Sequence, residues 1–207
     1  MNPYFKTPPV VKNLLIANCV MFLATTLLAK SGIADYLRYY LELWWVNAPG
    51  YPPFRTYQFV TYMFLHGNFA HLFGNMFALW MFGRTLEYEI GSKRFIIYYM
   101  VCGIGAAIIQ IGLATLLGEP MVLLGASGAV MGLLLAFGVM HPNNMVYVMP
   151  IPFPIKAKWF VIGYVVLEMA LTPFSATTGV AHFAHVGGML WGLALLLWWK
   201  KQGKIFF

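Results

Sequence analysis

The sequence predicts an all-α membrane protein: a bundle of six transmembrane helices with both termini cytoplasmic. Three observations carry this: the composition, the number of long apolar stretches, and the sides on which the basic residues fall. Of 207 residues, 61% are hydrophobic and only 9% charged, with a mean hydropathy of +0.73, whereas soluble domains carry roughly a quarter charged residues. A soluble globular enzyme, a disordered chain and a coiled coil are excluded on that ground. Two cysteines in the whole chain exclude a small secreted domain held by disulfides. A span needs about 20 apolar residues, so the length accommodates six spans and short connections in one polytopic domain.

Taken in order, the apolar stretches fall at about 10–29, 59–83, 94–117, 121–140, 157–174 and 180–199. Breakers and charges separate them: a long first connection from Lys30 to Gln58, a charged one from Arg84 to Lys93, Gly118-Glu119-Pro120, a segment from His141 to Lys156 with four prolines, and a small, polar one at 172–179. Within the first connection, residues 36–46 read YLRYYLELWWV, an aromatic and apolar run suited to the outer lipid interface.

Basic residues orient the bundle. With the N-terminus cytoplasmic, ten lie in inner segments, among them Lys6, Arg84, Lys93, Lys156 and Lys200, against Lys30, Arg38 and Arg55 outside. This asymmetry fixes both termini inside. The net charge of +7 is then topology and attraction to the lipid bilayer, and calls for no nucleic acid. The first span lacks a small-residue cleavage site at Leu27-Leu28-Ala29-Lys30 and is kept as a span rather than a signal peptide. Cys19 and Cys102 fall inside spans, where buried free thiols are expected.

Polar residues within spans are costly and persist when paired or used. Here they are few: His66, Asn68, His71 and Asn75 in the second span, Ser127 in the fourth, Glu168 in the fifth, and His182 and His185 at the start of the sixth. The topology runs spans two, four and six from outside to inside. Ser127 lies six residues after Met121 and His185 five after Val180, so both sit about 8 to 9 Å below the outer ends. A hydroxyl, imidazoles and a carboxamide therefore converge at one depth, which marks a site.

Small residues supply the means of approach. Gly125, Gly128 and Gly132 form a stripe on the fourth span, and Gly188 and Gly192 have small-xxx-small spacing on the sixth. His185 lies on the second stripe, so close packing of the two spans sets an imidazole against a serine. Serine needs such a base to become a nucleophile. His71 and Asn75, at i and i+4, share a helix face and could stabilise the oxyanion that attack creates. One preorganised donor of this kind is worth roughly 3 to 4 kcal/mol.

The GASGAVMG run around Ser127, the AHVGGMLWG run around His185 and the HGNFAHLFGN run from His66 to Asn75 together resemble the rhomboid family of intramembrane serine proteases, over residues 10–199. The resemblance implies a rhomboid-like six-helix bundle and a Ser127–His185 dyad. It implies an oxyanion hole of His71, Asn75 and the Ser127 backbone N–H. It further implies endopeptidase activity on transmembrane segments of other membrane proteins, cut near the outer side after a small residue. Two departures are visible: Tyr57-Gln58 stands in place of the family's Trp-Arg pair, and Met131 in place of an aromatic on the histidine. The alternative is a catalytically inactive relative that binds membrane clients; such relatives typically lack the serine or histidine, and both are present.

Further expectations complete the reading. No cofactor and no metal are expected, since nothing resembles a zinc-protease helix motif, and the only aspartate, Asp35, lies outside the spans. His66 and His182 are expected to wet the entrance or hold helix positions. Glu168 reads as a protonated carboxyl bonded to a neighbouring helix, with a third catalytic member as the alternative. His141, in the inner connection, is assigned no chemistry. The connection 172–179 is expected to cap the cavity. Compact loops without a transit-like leader point to a prokaryotic plasma membrane. The clients, the pathway and the oligomeric state are left open by the sequence.

Overall fold

A computed structural model of the chain describes residues 6–45, 51–148, 152–171 and 181–207. Helix α1, Pro9–Leu27, starts with a proline whose missing N–H costs nothing at the first helical position. The next two amides are left without helical partners, and Glu87 takes both: Val10 and Val11 N–H donate to its two carboxylate oxygens at 2.9 and 2.8 Å. Ser92 Oγ donates to the same side chain at 2.6 Å. A buried carboxyl group from the connection after the second apolar stretch thus ties down α1.

Helix α2, Ile33–Leu41, follows Gly32 in the left-handed region. Strand β1, Leu43–Trp45, then pairs antiparallel with β2, Met121–Leu123. This pairing corrects the expectation of a helix from 121. The helix of the fourth apolar stretch, α7, begins only at Ser127 and ends at Met140, because the preceding backbone is committed to β1 and to a bond from Gly125 N–H to the Tyr62 carbonyl (2.9 Å).

The second span differs as well. It is not one helix over 59–83 but α3, Gln58–Thr61, a 3-10 turn at Tyr62–Phe64, an irregular stretch at 65–68, and α4, Phe69–Ala78. Asn68 causes the restart: its side-chain oxygen accepts the His71 N–H at 2.8 Å, an N-cap bond. Beyond a wide turn at Leu79–Gly83 the helix continues as α5, Arg84–Ile90, so the charged connection is largely helical. Tyr57 and Gln58 secure the loop that precedes α3. The buried Gln58 amide donates to the Tyr40 carbonyl at 3.2 Å and its oxygen accepts from Arg55 N–H at 3.1 Å, while Arg55 reaches the Tyr57 hydroxyl at 3.1 Å.

Helix α6, Ser92–Leu117, is the longest. Between α7 and α8, Ala157–Leu171, β3, Met145–Val146, pairs with β4, Ile155–Lys156. Helix α9 is His182–Lys201. Helices α1 and α6 are long and apolar enough by themselves to cross a bilayer. Helix α7, with 14 residues, covers about 21 Å of the roughly 30 Å hydrocarbon core. Cys102 is buried as expected, whereas Cys19 is exposed on the outer face of α1.

The core of the bundle is the contact among α6, α7 and α9, and it is made by missing side chains. A Cβ on Gly188 of α9 would sit 2.0 Å from the Gly128 carbonyl oxygen of α7, and one on Gly132 would sit 2.3 Å from Cys102 Sγ of α6. Gly192 faces Tyr98 and Cys102 of α6, so the α9 stripe serves two neighbours. Gly125 does not belong to the α7 stripe: it precedes the helix with φ of 114°. Tyrosines close the interfaces, Tyr62 donating to the Gly103 carbonyl and Tyr98 to that of Gly132, both at 2.8 Å.

Two outcomes follow from this packing. Gly188→Val must drive α9 off α7 and should cost about 2 to 3 kcal/mol or more, read as earlier thermal exposure of the buried Cys102 to a thiol-reactive dye in detergent. Glu87→Ala leaves the first-turn amides of α1 without their charged acceptor and should destabilise by about 2 to 3 kcal/mol, with early loss of α1 in hydrogen exchange.

Candidate active site

Ser127 is the first residue of α7, so its backbone N–H belongs to the set that a helix leaves unpaired at its start. Its hydroxyl points at α9. His185 Nε2 lies 2.8 Å from Ser127 Oγ, a hydrogen bond made possible by the Gly128–Gly188 contact next to it in both helices. A cavity of about 620 Å³ opens onto this pair, lined also by His71 and Asn75 of α4, by Met131 and by Tyr164. Ser127 is only partly buried and the His185 ring is 9% exposed, so the pair is sheltered but reachable.

The α4 residues line the opposite wall. Asn75 is buried, and one of its amide hydrogens goes to the His71 carbonyl at 2.9 Å; an amide has a second donor. The His71 ring packs on Gly125, where a Cβ would come within 2.7 Å of the ring nitrogen Nε2. Only a residue without a side chain, at a backbone conformation glycine tolerates, allows that ring to lie there. Gly125 is therefore a site residue through His71, a role its place in the glycine run did not disclose.

The other side of the His185 ring meets a carboxylate. Glu168 Oε2 lies 3.0 Å from His185 Nδ1 and 2.7 Å from His182 Nδ1, and the Tyr164 side chain also hydrogen-bonds Glu168. His182 is thus buried and fixed between α8 and α9, not wetting the entrance, and His66 is buried as well, its ring 5.0 Å from that of His71. The Glu168, His182 and His185 ligand atoms lie within 4.8 Å of one another and could face a metal ion, but the bonds among them account for the cluster without one. His141 pairs with Glu89 at 2.9 Å, away from the cavity. The expected cap at 172–179 lies outside the described residues.

The sequence had marked Ser127, His185, His71, Asn75 and the depth of Glu168. The convergence of both histidines on Glu168 was not legible, because it depends on the rotation of α8 against α9, which no spacing within either helix encodes.

Comparison with known proteins bears on this arrangement. The Rhomboid domain family matches residues 53–201. The chain is 28% identical over 204 residues to Rhomboid-like protein 11, chloroplastic, of Arabidopsis thaliana, covering 88% of this chain and 62% of that protein. It is 26% identical to Rhomboid-like protease 3 of Toxoplasma gondii, over 90% of this chain and 68% of that one, and 31% identical to Rhomboid protease AarA of Providencia stuartii, over 63% and 51%. The chain thus spans between about half and two thirds of the length of these relatives. Since the family match takes in α3 to α9 and every residue of the cavity wall named above, the chain belongs to the rhomboid family of integral membrane proteins.

Proposed function

We propose that this chain is an intramembrane serine endopeptidase that cleaves transmembrane segments of other membrane proteins near the outer side of the bilayer. The observation that carries the reading is the 2.8 Å bond between His185 Nε2 and Ser127 Oγ on the wall of a partly open cavity. Ser127 is the nucleophile. Its proton passes to Nε2 as Oγ attacks the scissile carbonyl, and the imidazolium then returns that proton to the leaving amine. A water enters by the same cavity and attacks the acyl carbonyl as His185 takes its proton; the bond from the acyl carbon to Ser127 Oγ then breaks, the acid leaves, and His185 returns the proton to Oγ. The second Asn75 amide hydrogen, the His71 ring and the Ser127 backbone N–H form the oxyanion hole.

The six-span topology with both termini cytoplasmic belongs to this reading, supported by the ten-to-three distribution of basic residues. It places the cavity toward the outer leaflet. A helical peptide bond is shielded by its own hydrogen bonds, so the substrate is a transmembrane segment with a helix-weakening stretch. The relatives' names include chloroplastic and mitochondrial proteins. They support a membrane location without favouring the prokaryotic plasma membrane over an organellar one.

Two measurements test the assignment. Ser127→Ala and His185→Ala should each abolish cleavage of a reconstituted transmembrane substrate and labelling of Ser127 by a fluorophosphonate, with the double variant no worse than either; retained cleavage in Ser127→Ala overturns the mechanism. Asn75→Ala should lower kcat by about 10²- to 10³-fold, the usual loss for one oxyanion donor, and leave the thermal midpoint within a few degrees.

A further inference from the structure

We infer that Glu168 is a positioning residue for the reaction, holding His185 in the tautomer that makes Nε2 a base. The inference rests on the serine-protease reading and adds to it a third group, on α8, where the dyad has two.

The argument is one of counting protons. Glu168 Oε2 faces His182 Nδ1 at 2.7 Å and His185 Nδ1 at 3.0 Å. A carboxyl oxygen carries at most one proton, so it cannot donate to both rings. A carboxylate oxygen can accept an N–H from each, which fills its two lone pairs, while the other nitrogen of His182, Nε2, is buried without a partner among the described residues. The Tyr164 side chain adds a third hydrogen bond to Glu168, so the buried anion has the partners it needs in a site only 4% exposed.

A neutral imidazole has one N–H and one bare nitrogen. With the N–H on Nδ1, held by Glu168, the lone pair of His185 lies on Nε2, and Nε2 is the nitrogen 2.8 Å from Ser127 Oγ. The hydroxyl then donates to the ring. During attack the Ser127 proton moves to Nε2, the ring becomes cationic, and Glu168 keeps Nδ1–H as an acceptor without taking the proton. The carboxylate thus fixes the tautomer before the step and faces the positive charge during it. His182, held by the same oxygen, keeps that oxygen in place from the other side, while no bond links it to Ser127.

Glu168→Gln tests this, because it retains size but can turn an N–H toward Nδ1 and so select the wrong tautomer. We expect kcat to fall by about 10²-fold or more with KM within about twofold, a split that a general loosening of the bundle does not produce. Independently of activity, nitrogen NMR of the unmodified protein labelled with ¹⁵N-histidine should show His185 protonated on Nδ1 with a far-downfield proton, identified by its loss in His185→Gln and absent in Glu168→Gln. Wild-type kcat in Glu168→Gln, or His185 protonated on Nε2 in the unmodified protein, overturns the inference. Should the glutamine variant fail to fold, the tautomer in the unmodified protein decides alone. A failed protease reading has a different signature: cleavage that survives Ser127→Ala.

Discussion

The contact on which the site depends is backbone against backbone, where Gly188 of α9 meets Gly128 of α7 with no room for a Cβ between them. In lipid, apolar side chains gain little by leaving their surroundings for one another, so helices associate through close packing and weak polar contacts. Ser127 is the residue next to Gly128, and His185 is one turn before Gly188. The approach of the two glycines therefore sets the separation of hydroxyl and imidazole. Helix packing and the proposed nucleophile activation are thus tied to one approach of two backbones.

Much of this was legible because packing and chemistry share residues in the α7 and α9 sequences. What was not legible was the irregular backbone. Hydropathy reads 59–83 and 121–140 as spans since their composition is apolar throughout, yet each contains a non-helical stretch, at 65–68 and at 121–126. The Asn68 cap is a local signal that the hydropathy reading passes over. The β1–β2 pairing joins residues nearly 80 positions apart and has no local signal at all. Asn75 and His71 were found because they lie at helical spacing, and Gly125 was misassigned for the same reason, its spacing from Gly128 matching a helix it does not belong to.

Those two irregular stretches also explain where the cavity is. Unpaired backbone is tolerated at membrane depth only where it is buried in protein or faces water. Gly67 and Asn68 from the first stretch and Leu124 from the second line the cavity with Ser127 and His185. The proposed hydrolysis needs water and room for an unwound substrate strand. Ending α7 at Ser127, instead of carrying it outward, supplies the room and at the same time frees the first-turn N–H groups of a helix to face it.

The buried carboxylates separate structural from chemical roles by their partners. Glu42, Glu87 and Glu168 are each at most 5% exposed, and each needs compensation for leaving water. Glu42 finds Arg38 at 3.2 Å, and burial still raises its carboxyl above the ordinary range. Glu87 finds the first-turn amides of α1, which neither gain nor lose protons, so its charge can only hold helices together. Glu168 finds two imidazoles, and one of them reaches a hydroxyl through its other nitrogen. Among these three, Glu168 alone has a partner through which its charge can act on a proton in transit. In the proposed mechanism this carboxylate, as costly to desolvate as any other, lies beside the ring that would become cationic.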